Sequence, residues 1–148
     1  MSDSDSRGVL NRLIESCKDA ETGLRHAEGL VSDPALKSAF ATIADQRAQF
    51  AAELLPQAQR LGGAATADGT ASASVHRHWM DLRNVLSGHD DGATLAEVKR
   101  GDNMTLVAFK DALAGVLPSA VRDLVGRQYE AIRANHDLIE VLQSARRA

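Results

Sequence analysis

The sequence predicts an all-α fold: a four-helix bundle with a short extra helix in the long crossover between helices two and three. Three observations predict it. Four segments of about 24 to 27 residues place apolar side chains at helical spacing. Two of the connections, Ser32-Asp33-Pro34 and Gly115 to Pro118, are short, so each flanking pair forms an antiparallel hairpin. The third connection is long enough to return the chain to its starting end, which sets helices two and three parallel.

The first helix is expected over Gly8 to Val31, with Leu10, Leu13, Ile14, Cys17, Leu24, Ala27 and Val31 on one face. Residues 1–7 are acidic and polar and are expected to form a disordered tail ahead of a single domain over 8–146. The second helix is expected over Ala35 to Leu61, with Leu36, Phe40, Ile43, Phe50, Leu54, Ala58 and Leu61 inward. Asp33-Pro34 supplies its N-cap and first-turn proline. Pro56 falls inside it and should bend it or shift its local bonding. Gly62 to Ser74 is a run of small polar residues that reads as a mobile linker. A short helix follows at about Val75 to Leu86, carrying Trp79 and Leu82. The third long helix starts after the capping pair Asp90-Asp91 and runs to Gly115, with Leu95, Val98, Leu106, Phe109 and Leu113 inward. The fourth runs from Ser119 to Ala145, with Val121, Leu124, Val125, Ile132, Ile139 and Leu142 inward. Parallel second and third helices are the ferritin-like connectivity, not a simple up-and-down bundle.

Composition narrows the function classes. A net charge of -3 offers no broad basic field for nucleic acid. Aromatics at 3% leave few platforms for stacking bases. No apolar run approaches the roughly 20 residues of a membrane span. A single cysteine, Cys17, excludes an internal disulfide and is expected to be an inert core thiol. The expected setting is the cytoplasm.

The sharpest feature is polar residues on the apolar stripes. Arg47 falls between Ile43 and Phe50, Asp102 between Val98 and Leu106, and Gln128 between Leu124 and Ile132. Glu21 lies at the stripe margin in the first helix. Folding each hairpin at its turn brings Glu21, Arg47, Asp102 and Gln128 to one height, a polar core layer. A ferritin-like di-iron site needs a carboxylate from each of two helices and Glu-x-x-His from each of the others. No Glu-x-x-His occurs here, and His136 is preceded at that spacing by Arg133. The expectation is therefore a salt-bridged layer without a metal or other cofactor. Glu21, Glu53, Glu97, Asp102 and His136 are the candidate ligands of the alternative, iron or another divalent metal. A pairing with Arg47 would hold the Asp102 carboxyl below its unfolded value of about 3.9.

Four stretches carry a family likeness: Leu10-Asn11-x-Leu13-Ile14-x-x-Cys17-Lys18-Asp19, Gln46-Arg47-x-Gln49-Phe50-x-x-Glu53-Leu54, His76-Arg77-x-Trp79 and Arg100-Gly101-Asp102. Gln128-Tyr129 and His136-Asp137 add to them. Together they resemble the DUF2383 group of bacterial four-helix-bundle proteins in the ferritin-like superfamily. The resemblance spans about Val9 to Leu142 and implies a ferritin-like bundle without implying a reaction. No catalytic residues are expected. The expected role is a non-enzymatic interaction or stress-associated module, with a metal-binding ferritin-like protein as the alternative. The amphipathic helix carrying Trp79 must cap its own bundle or cover another subunit, and the expected partner is a second copy in a homodimer, with no nucleic-acid or membrane partner.

Overall fold

The computed structural model describes residues 3–62, 77–79 and 90–147. Four long helices carry the fold: α1 (Asp3–Leu30), α2 (Pro34–Arg60), α3 (Asp91–Ala114) and α4 (Ser119–Arg147). Residues 77–79 are helical as well, and the described residues contain no strand. The rest of the expected linker and short helix lies outside the described residues.

A strict alternation of three and four residues picks out the core. In α1 it runs through Ser6, Leu10, Leu13, Cys17, Ala20, Leu24, Ala27 and Val31, all buried. In α2 it runs through Leu36, Phe40, Ile43, Arg47, Phe50 and Leu54. In α3 it takes Leu95, Val98, Asp102, Thr105, Phe109 and Ala112, and in α4 Val121, Val125, Gln128, Ile132, the half-buried Asn135 and Ile139. This is the seam of left-handed bundle packing. Each large apolar side chain buried along it contributes about 1.5–3 kcal/mol relative to exposure.

The seam corrects several expectations. Thr105 and Ala112 take core positions in α3, whereas the larger Leu106 and Leu113 are only half-buried at its edge. Leu124 is likewise half-buried. Residues 3–7 belong to α1 and are not a tail. Ser6 continues the seam, and Arg7 Nη1 donates to the Gly62 carbonyl at 3.1 Å, tying the start of α1 to the end of α2. Helix α2 continues through Pro56 to Arg60, and Gly62 follows at a φ of 102°, a left-handed value that suits glycine.

Two apolar clusters fill the two ends. One joins Leu10, Leu13 and Cys17 to Leu54, Phe109 and Val125. The other joins Leu24 and Val31 to Leu36, Phe40, Leu95 and Ile139. The first cluster thus collects the start of α1 and α4 with the end of α2 and α3; the second collects the opposite ends. Helices α2 and α3 therefore run parallel, and α1 and α4 run against them. Lateral packing joins α1 to α2, α3 to α4, α1 to α3 and α2 to α4, so α2 and α3 face each other across the diagonal. Every lateral neighbour is antiparallel.

The turns are held by side chains. Asp33 Oδ1 accepts from Ala35 N at 2.9 Å and caps α2. Asp90 Oδ1 accepts from Ala93 N at 2.6 Å and caps α3. Asp91 does something else. Its carboxylate accepts from the Ser32 N–H at 3.0 Å and the Asp33 N–H at 2.8 Å, clamping the first turn to the start of α3.

Candidate functional site

The diagonal between α2 and α3 is where a polar residue on each seam meets the other. Arg47 Nη2 donates to Asp102 Oδ1 at 2.7 Å and Nη1 to the same oxygen at 2.9 Å. Both side chains are almost wholly removed from water, at 0% and 1% exposure. Arg47 Nε and Asp102 Oδ2 have no hydrogen-bond partner among the described residues. Burial pushes the Asp102 carboxyl above its ordinary value, against the pull of Arg47 and His136. This reverses the expected lowering. Two bonds converge on a single oxygen, and the removal of water from the whole carboxylate outweighs them.

Trp79 is fully buried, in the same apolar cluster as Leu24, Phe40 and Val98. Its indole lies between α1 and α3, against the two helical glycines. A Cβ on Gly23 would stand 2.2 Å from Trp79 Cε3, and one on Gly101 would stand 2.7 Å from Cζ2. Both glycines are thus the floor of an indole socket. His78 is anchored next to it, with Nε2 2.9 Å from the Glu97 carbonyl oxygen. Gly126 has no such neighbour, since a Cβ there would meet nothing within 4 Å.

The other expected members of the polar layer lie elsewhere. Glu21 sits off the seam, because Ala20 and Leu24 take the inward positions. It pairs on the surface with Arg25 at 2.9 Å, and Arg25 also reaches Asp45 at 2.9 Å. Gln128 is buried but lies nearer the other end, where its Nε2 donates to Glu53 Oε1 at 3.0 Å. The residue of α4 level with Arg47 is Asn135, whose amide donates to Gln46 Oε1. The cause is the second turn. Gly115 has an extended backbone, with ψ at -177°, so the chain passes beyond the end of α3 before α4 begins. Arg122 then reaches back to the carbonyls of Leu113 and Gly115. A symmetric hairpin does not anticipate that slide.

A ferritin-like metal centre does not fit this arrangement. The core centre holds a guanidinium, which stays charged in proteins and repels cations. Glu53 is engaged by Gln128, Glu97 bridges Arg100 at 2.6 Å, and His136 lies 3.6 Å from Glu140. Among the described residues no three His, Cys, Asp or Glu side chains come together. Cys17 is fully buried on the seam, and burial pushes its thiol up to about 12, which leaves it unreactive at neutral pH.

The family model described as a domain of unknown function, DUF2383, matches residues 6–115. The chain belongs to the DUF2383 family. The matched range takes in Arg47, Trp79, Gly101 and Asp102. None of the curated proteins matches it. Among solved structures, this DUF2383 chain is similar to a two-domain protein from Anabaena variabilis containing DJ-1/ThiJ/PfpI-like and ferritin-like domains. The TM-score is 0.82 at 15% identity, covering 99% of this chain and 41% of that one. The likeness shows a ferritin-like fold. The chain spans about two-fifths of that neighbour's length. No described helix is long and apolar enough to cross a membrane.

Proposed function

We propose that this DUF2383 protein is a non-enzymatic helical module of the cytoplasm, a ferritin-like bundle converted from metal handling to protein interaction, in the first place with a second copy of itself. The observation that carries the reading is the Arg47–Asp102 pair on the bundle's diagonal. A cation held there by its own carboxylate leaves the centre with little negative charge to offer a metal. The interaction half is supported by an outward stripe on α4. Leu138 and Val141 are 42% and 64% exposed, and Ala134 and Ala145 extend the same face.

The competing reading is a metal-binding ferritin-like protein using Glu21, Glu53, Glu97, Asp102 and His136. Elemental analysis of protein purified without a metal-affinity tag separates the two. The expected result is iron, manganese and zinc well below one per chain. Stoichiometric metal that disappears in Asp102→Asn or His136→Ala would replace the module reading with the metal-binding one.

A further inference from the structure

Arg100, Gly101 and Asp102 are consecutive on α3 but face three ways. Asp102 meets Arg47, Gly101 seats Trp79, and Arg100 lines a groove between α3 and α4. The groove has a volume of about 480 Å³ and is lined by Ala96, Lys99, Arg100, Asn103, His136 and Gln143. The α3 residues recur at i, i+3, i+4 and i+7, and His136 and Gln143 stand two turns apart on α4. Two rigid helix flanks therefore present the lining.

Its chemistry is one-sided. Among the described residues, two formal cations, two amides and an imidazole line it, and no carboxylate does. Carboxylates stand around it instead. Lys99 Nζ is held by Glu140 Oε1 at 2.8 Å and by Gln143 Oε1 at 3.0 Å. Arg100 Nη1 is held by Glu97. His136 Nε2 lies 3.6 Å from Glu140 Oε1, beyond hydrogen-bond range. Glu140 thus pairs with Lys99 from outside the lining and leaves His136 Nε2 without a bond to it.

We propose that this groove binds a small phosphate monoester, whose phosphate displaces the Glu140 carboxylate from Lys99 and engages Arg100 and His136. A carboxylate ligand brings one charge and two acceptor oxygens. A phosphate monoester brings nearly two charges and three terminal oxygens, which matches two cations flanked by amide and imidazole donors. The volume accommodates the phosphate with a small organic group. The proposal does not depend on the reading of the central pair.

The test is amide chemical-shift titration of the full chain with glycerol 3-phosphate and with inorganic phosphate, at constant ionic strength set with chloride. Saturable shifts confined to the lining of α3 and α4 are expected, tighter for glycerol 3-phosphate. Arg100→Gln, an exposed change that leaves the core untouched, should weaken binding about tenfold. Glu140→Gln should tighten it several-fold. Glu130→Gln makes the same charge change on α4 outside the groove and should leave it unaltered. Three results would overturn the proposal: no saturation, shifts centred elsewhere, or equal gains from Glu140→Gln and Glu130→Gln. Equal affinity for the two probes would overturn the monoester assignment and make free phosphate the ligand.

Discussion

The buried Arg47 guanidinium depends on Asp102, its charge partner across the diagonal. Asp102→Asn removes the counter-charge and leaves the guanidinium in place. The expected loss is about 3–5 kcal/mol at pH 7, read from urea melts. The double variant Arg47→Met/Asp102→Leu removes both charges and fills a similar volume. It should match or exceed the wild type, because the pair's desolvation offsets its attraction. A single variant as stable as the wild type would show that the pair is not held in the core. Cys17 makes the second prediction at this scale. With its thiol at about 12 and fully buried, a thiol reagent at pH 8 should label it only as fast as the protein opens. Rapid stoichiometric labelling without denaturant would contradict the packing of the α1 seam.

Between elements, two contacts link segments far apart in the chain. Asp91 accepts two backbone N–H bonds from the first turn, and these hold its carboxyl below the ordinary value. In the acid range the unfolded state then binds more protons, so stability rises with pH there. The contribution is present above the unfolded value of about 3.8 and is lost as pH falls through the folded one. Asp91→Asn should flatten the acid limb of stability, as followed by circular dichroism from pH 7 to pH 2; an unchanged limb would rule the clamp out. The indole socket gives a sharper contrast. Gly23→Ala drives a methyl into the Trp79 ring and should destabilise by about 1–3 kcal/mol. Gly126→Ala meets open space and should stabilise by up to about 1 kcal/mol through helix propensity. The protein's one tryptophan reports the first change directly through its fluorescence.

For the whole molecule, an apolar stripe on α4 is exposed around Leu138 and Val141. Light scattering across a concentration series should give a dimer mass, and Leu138→Glu with Val141→Glu should return it to a monomer. A monomer mass at every concentration would remove self-association from the proposed function. Much of the architecture on which this stripe sits was legible in the chain. The capping aspartates at Asp33 and Asp90, the parallel setting of α2 and α3 and the inward positions of Arg47 and Asp102 all follow from local spacing and loop length. Where reading by hydrophobicity failed, spacing still held the signal: the three-four alternation selects Ala20 over Glu21, Thr105 over Leu106 and Ala112 over Leu113.

By itself, the sequence determined which residues each helix turns inward, because a helix face depends only on residues a few positions apart. It also determined that the central diagonal carries charge and that the di-iron motif is missing. Tertiary structure alone decided how far one helix slides along another. That slide brought Asn135 to the level of Arg47 and left Gln128 beside Glu53. Tertiary structure also decided that Trp79 rests on Gly23 and Gly101, and that Asp91 reaches back to the first turn. These contacts join residues tens of positions apart through loop geometry, and no local periodicity encodes that geometry. The same holds for the sign of the Asp102 shift, since desolvation is set by everything packed around the carboxyl and not by its partner alone.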